Sequence, residues 1–430
     1  MLRRSSCMAA ETEEKLLRKR QTIVIAMIAL ALVVVTPPAN AQFTYTVLHT
    51  FTGSPDGVYP SPLIRDAEGN LYSTAEAGGS DNGFCEFGCG MVFKIDPAGK
   101  LTALYDFTGG SNGGYPVAGL VQDKAGNFYG TTQGLGNSNL SVVFKLTPDG
   151  KETSYDPPGS IGSLASPLAL DAKGNVYGMS PYGGTHNCGW DRQGLGCGTL
   201  FKMTPNGKFT IIHSFDGTDG MNPQGGLVRD AKGNLYGAAF FGGIRACTTT
   251  GNGHFEPGCG TIFKIDVNGK YTVLHTFTGH KDGAGPQGLI IDSAGNLYGI
   301  AQNGGNHEGN GYLYGLGTIF KVDASGKFSV VFTFTPNISG SVGYANLLAR
   351  DSKGNLYGAK QYDGANNAGC LFRINTKGHY TNLFDFADVG QENPGGYRPV
   401  GVVLGSAGDF YGSMALGGSS GFGTVFHIKP

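Results

Sequence analysis

The sequence predicts an all-β fold, a seven-bladed β-propeller built from four-stranded antiparallel blades. Three observations predict it. First, a turn of the form Asp-x-x-Gly-Asn, followed by an apolar or aromatic residue and Tyr, begins at Asp66, Asp123, Asp171, Asp230, Asp292 and Asp351. A degenerate seventh copy spans residues 405–412, with Gly405 in place of Asp and Asp409 in place of Asn. The copies stand 48 to 62 residues apart, the period of a propeller blade carrying loop insertions. Second, a strand of the Gly-Thr-x-Phe-Lys type recurs seven times, around Phe93, Phe144, Phe201, Phe263, Phe320, Phe372 and Phe426. Third, the strand that should follow it occurs only six times in that place. The missing copy stands at the other end, where residues 43–51 match residues 271–277 nearly letter for letter. The N-terminal strand is therefore expected to complete the last blade, closing a ring and removing two open sheet edges.

The clearest single unit covers residues 226–279. It reads as strand a (226–229), strand b (234–238), strand c (261–265) and strand d (271–277), each rich in β-branched, aliphatic or aromatic residues. The a–b turn from Asp230 to Asn234 and the c–d turn from Asp266 to Lys270 have the form of a type I turn closed by a left-handed glycine. Such a sheet is apolar on both faces and must stack on copies of itself.

Taken in order, blade one runs from Ser61 and blade two from Val117, each preceded by a Tyr-Pro step. Blade three is expected to be the weakest, with residues 152–156 as its d strand and little there to bury. Blades four and five are the clearest copies. Blade six has a short b–c loop over residues 363–368, and blade seven starts near Pro399. Strand alternation puts the tight a–b and c–d turns on one face of the disc and the long, variable b–c and d–a loops on the other. Insertions gathered on one face mark the expected binding face.

Residues 1–41 read as an export signal. Four basic residues lie between Lys15 and Arg20, an apolar run covers 22–35, and residues 37–41 end in a small-x-small cleavage site before Gln42. The run would span about 21 Å as a helix, against roughly 30 Å for a hydrocarbon core. An uncleaved anchor is the alternative; residues 42–430 form the propeller, with no membrane span in that part. The cysteines agree with export. Cys85 and Cys89, Cys188 and Cys197, and Cys247 and Cys259 fall pairwise in the b–c loops of blades one, three and four, as local disulfides would. A zinc site from His186, Cys188 and Cys197 is the competing reading; it lacks a fourth ligand and needs reduced thiolates. Cys370 is expected to be unpaired and buried.

The motif Leu-His-Thr-Phe-Thr-Gly, then Gly-Leu, Asp-x-x-Gly-Asn-Leu-Tyr-Gly and Gly-Thr-x-Phe-Lys-Ile resembles the GloVer tandem repeat of exported bacterial "choice-of-anchor" proteins. The resemblance covers essentially residues 43–429, with 274–279 and 292–299 among the closest copies. It implies an exported or cell-surface protein but no reaction and no catalytic residues. Members often end in a surface-sorting segment, whereas this sequence ends its last strand at Pro430. The Gly-Asn-Leu-Tyr core is also similar to NHL-type and gluconolactonase-type propellers, at the level of fold.

Function is written less plainly. Beyond residue 41 there are 25 basic against 29 acidic residues and no basic stripe, which argues against nucleic acid. Glycine, at 74 of 430 residues, sits in turns and loops without a collagen-like period. The repeated turn aspartates read as hairpin caps rather than metal ligands. His49, His213 and His275 share one strand-d position with Tyr105, Phe332 and Phe384, so that site reads as packing. The d–a loops carry Asp56, Asp219 and Asp282, each followed by Gly. Tyr59, Tyr115, Tyr344, Tyr397 and Arg398 stand beside the expected channel mouth, and Trp190 lies in a b–c loop. Aromatic rings beside carboxylates and the amides of Gln224 and Gln287 suit a sugar, although plain turns and rim packing explain the same residues. No nucleophile elbow, metal-binding helix motif or phosphate loop is present. The expectation is a monomeric binding or scaffold propeller for a glycan or protein partner. A hydrolase or lactonase with its site at the channel mouth is the alternative. No motif implies a cofactor, with a structural calcium in the channel left open.

Overall fold

Hydrogen bonding across strand c decides the architecture. The computed structural model describes residues 43–80, 85–133, 141–164, 166–188, 195–244, 247, 258–305, 315–335, 349–361, 368–386 and 396–430. They form seven sheets, each in the order a-b-c-d with antiparallel neighbours. In blade four the strands are Met221–Arg229, Leu235–Phe241, Thr261–Ile265 and Tyr271–Thr276. The last blade takes strands a to c from Tyr397–Leu404, Phe410–Leu416 and Thr424–Lys429, and strand d from Thr44–Thr50. Thr44 pairs with Lys429 and Thr50 with Thr424, and the Phe51 amide donates to the Gly423 carbonyl. The ring is closed as the repeat count requires.

Two expectations are corrected. Residues 152–156 do not belong to blade three. Strand Glu152–Tyr155 pairs with Val143–Leu146 and completes blade two, and blade three has its own d strand, Phe209–Ser214. Chain order alone demands this, since each d strand follows its own c strand through a tight turn. Strand a of blade four also begins at Met221, five residues earlier than expected. A register shift between Gln224 and Val228 lets it bend past Gly225 and Gly226 and continue toward the loop face. Residues 1–42, which hold the expected export signal, lie outside the described residues.

The core sits between blades. The phenylalanine that follows strand d packs edge-on against the strand-c phenylalanine of the next blade. The pairs are Phe51–Phe93, Phe107–Phe144, Phe215–Phe263, Phe277–Phe320 and Phe334–Phe372, with ring centroids 5.0–5.8 Å apart. Nearly all these rings are wholly buried. Burying each is worth about 1.5–3 kcal/mol before entropy is counted. Blade two ends without such a phenylalanine. There the short helical turn Gly159–Ile161 delivers Ile161, which with Leu164 packs on Phe201.

Five of the seven blades meet the next at one further point, through a glycine just before strand c. The glycine just before strand c accepts from the amide of the strand-d phenylalanine, as Gly260 does from Phe277 at 3.0 Å. Its bare Cα faces the proline of the next blade: a Cβ on Gly260 would come 2.3 Å from Pro286 Cδ, and one on Gly198 2.4 Å from Pro223 Cδ. Only glycine permits that approach.

Candidate binding site in the central channel

The repeated turn is a closed hydrogen-bond unit. In blade four Asp230 Oδ1 accepts from the Asn234 amide at 2.8 Å. Its Oδ2 accepts from Asn234 Nδ2 at 2.7 Å and from the Tyr236 hydroxyl at 3.0 Å. The other five copies repeat it. Burial opposes ionisation of these carboxyls, but the Asn and Tyr hydrogen bonds outweigh it and hold them below the usual range. Burial first, and the neighbouring aspartate second, push Tyr72 and Tyr236 up to about 12. The strand-c lysine lies over the same tyrosine ring, Lys264 on Tyr236 at 5.8 Å. Asp, Asn, Tyr and Lys of the repeat therefore satisfy one another.

The loop face is organised by latches of a second kind. The amides of Tyr59, Tyr115, Asn222 and Gly285, each the residue before a proline, donate to Phe422, Cys89, Cys197 and Cys259 of the preceding blade at 2.8–3.0 Å. Reaching back this way puts Tyr59, Tyr115 and Asn222 at φ of 54–55°, where glycine would be unstrained; Gly285 has 64° and Arg398 60°. Three of the four acceptors are the second cysteine of a disulfide. The bonds Cys85–Cys89, Cys188–Cys197 and Cys247–Cys259 each close a b–c loop. With both sulfurs so committed, Cys188 and Cys197 offer no thiolate for zinc. Cys370 is buried and outside the three disulfides, its Sγ 3.7 Å from the Tyr380 hydroxyl.

Asp56, Asp219 and Asp282 bond to their own blade's strand-d histidine. His49 Nε2 lies 3.0 Å from Asp56, His213 Nε2 2.7 Å from Asp219 and His275 Nε2 3.1 Å from Asp282. Burial raises the Asp56 and Asp282 carboxyls, but histidine and the Thr52 or Thr278 groups outweigh it, so both sit low. The rings stack between blades, His213 on Tyr271 at 3.8 Å and His275 on Phe328 at 3.6 Å.

The inner ends of the a strands enclose a cavity of about 440 Å³. It takes Ser61, Val117, Ser166, Gln224, Gln287 and Val400 from blades one to five and seven. Of the aromatic candidates, Tyr59 lines it, with 40% of its surface exposed. Tyr115 and Tyr397 instead pack into the cores between blades. Arg398 is half-buried at the start of strand a in blade seven. Tyr344 and Trp190 lie outside the described residues. The sequence reading missed Glu76, which lines the cavity beside Tyr59. A signal was available: at its strand-b position the other blades carry Gln133, Pro181, Phe240, Gln302, Gln361 and Ala415. Among the described residues no group of three His, Cys, Asp or Glu side chains is placed to hold a metal ion. No helix among them is long and apolar enough to cross a membrane.

Fold and site define a class, a disulfide-stapled β-propeller with a central cavity of mixed apolar and polar lining. The chain matches the Gloeobacter/Verrucomicrobia repeat over residues 32–192, 191–395 and 314–430, and it belongs to that family. No curated protein matches it. Among solved structures it is similar to the extracellular domain of BT3049 from B. thetaiotaomicron, described as a hybrid two-component system. Identity there is 13% and the TM-score 0.53, over 90% of this chain but only 41% of the other. It is also similar to the luciferin-regenerating enzyme, at 16% identity and TM-score 0.44, over 74% of this chain and 93% of that one. A protein described as a gluconolactonase gives 12% identity and TM-score 0.41, over 90% and 92%.

Proposed function

We propose that this protein is an exported binding propeller that holds a sugar in the loop-face mouth of its central channel. One observation carries the reading: the exposed Tyr59 borders a cavity whose other polar lining residues are Glu76, Gln224, Gln287, Ser61 and Ser166. An aromatic face beside fixed hydrogen-bonding groups suits a sugar ring, apolar on its faces and polar at its edge. Three disulfides support an oxidising, extracytoplasmic setting. The hydrolase reading draws less support, because glycoside hydrolysis uses a pair of carboxyls and Glu76 is the one carboxylate among the described lining residues. The test is a glycan array followed by calorimetry on wild type and Tyr59→Ala. Losing the platform should weaken a sugar about tenfold, in keeping with roughly 1 kcal/mol of stacking plus lost burial. An array hit whose affinity survives Tyr59→Ala would place recognition elsewhere.

A further inference from the structure

Among the described residues, the channel contains a carboxylate with no cationic side chain in the same lining. Glu76 lies near the end of strand b in blade one, Leu71–Ala77. The pairs Val58 with Ala77 and Pro60 with Ala75 flank it, which sets it across from Tyr59. Among the described residues the lining includes no Lys or Arg, and the only other titratable group is the Tyr59 phenol. Burial raises the pKa of the Glu76 carboxyl, and among the described residues no hydrogen bond or neighbouring charge offsets that. The blade does not require an acid here, since the equivalent positions in the other six blades are neutral. A half-buried carboxylate without a partner costs stability. Its presence in a cavity otherwise lined by neutral groups makes that cavity complementary to a ligand that brings the positive charge.

We propose that the channel mouth binds an amino sugar. Glu76 accepts hydrogen bonds from the ligand's ammonium, Tyr59 covers an apolar face of its ring, and the amides of Gln224 and Gln287 meet its hydroxyls. The assignment rests on the channel being a sugar site and adds the charge of the sugar. A charge-assisted hydrogen bond is roughly twice as strong as a neutral one, so the ammonium decides the preference. Calcium fits less well, because it takes six to eight oxygen ligands, commonly from several carboxylates.

Calorimetry on the exported protein at pH 7 tests this with three probes, glucosamine, glucose and calcium chloride, against wild type, Glu76→Gln and Tyr59→Ala. Wild type should bind glucosamine at least about tenfold more tightly than glucose. Glu76→Gln should abolish that difference by weakening glucosamine at least about tenfold, while Tyr59→Ala should weaken both sugars. The amide is isosteric and removes an unpaired charge, so the thermal midpoint of Glu76→Gln should be unchanged or higher. Equal affinity for the two sugars, a preference that survives Glu76→Gln, or no binding of glucosamine overturns the amino-sugar assignment. Calcium binding that Glu76→Gln abolishes overturns it in favour of a metal. If Tyr59→Ala weakens neither sugar, the channel reading itself falls.

Discussion

At the scale of the residue, the repeat motif is a set of groups that need one another. Asp230 serves three donors, so Asp230→Ala strands the Asn234 amide group and the Tyr236 hydroxyl at once. The expected cost is about 1–3 kcal/mol, read from the midpoint of urea unfolding. The six turn carboxyls also make stability depend on pH. Their folded pKa values lie below the unfolded ones. Their contribution is therefore complete above the unfolded pKa of about 4 and is lost as pH falls through the lower, folded values. Urea midpoints measured from pH 7 downward should stay level until about pH 4 and then drop. A midpoint already falling between pH 7 and 5 would mean that other groups dominate. The glycine that follows the strand-b tyrosine in six of the seven blades, with Ser73 in the first, has a different cause. A Cβ on Gly237 would stand 2.5 Å from Phe263 Cζ, so Gly237→Ala should destabilise by about 1–3 kcal/mol through overpacking. These requirements were legible in the sequence as recurring letters of the repeat; which atom each letter served was not.

At the scale of the element, strand a of one blade depends on the b–c loop of the blade before it. Cys89, Cys197 and Cys259 present the carbonyls that hold the amides of Tyr115, Asn222 and Gly285. Reduction of the disulfides should therefore loosen more than the loops that contain them. In hydrogen exchange, the amides of Tyr115, Asn222 and Gly285 should lose protection on reduction while strands Thr199–Met203 and Thr261–Ile265 keep theirs. Uniform loss across those strands would show that the bonds hold whole blades together. Asn222→Gly probes the same latch from the other side. It relieves a left-handed φ but removes a side chain that accepts from Gln224, so stability should change little while the Gln224 amide gains freedom at the channel wall. Sequence reading placed the disulfide loops and the prolines correctly on one face. It took strand a as starting at Gly226, because the paired glycines at 225 and 226 resemble a strand boundary when the bulge they allow is unseen.

At the scale of the whole molecule, stability rests on closing the ring. Residues 43–51 supply a complete strand to blade seven and the wholly buried Phe51 to the joint with blade one. Phe51→Ala should cost about 3–5 kcal/mol, and deletion of the strand more, since it also exposes the edge of Thr424–Lys429. The pairing needs the strand in that place and not at that end of the chain. A permuted protein with residues 43–51 moved behind Pro430 through a flexible linker should keep its thermal midpoint within a few degrees. A large loss would show that the N-terminal position matters beyond closure.

Much of the molecule follows from local chemistry repeated seven times, and that much the sequence by itself determined: the strand order, the turn units, the closing strand and the disulfide pairs. A period in the residues reports contacts that every blade makes in the same way. The channel was decided by the tertiary structure. Tyr59, Glu76, Gln224 and Gln287 line one cavity only because the closed ring brings strands of different blades around it. Residues far apart in sequence that meet at one axis leave no period behind. For that reason the turn aspartates announced themselves in six of the seven copies, while the lone glutamate of blade one did not.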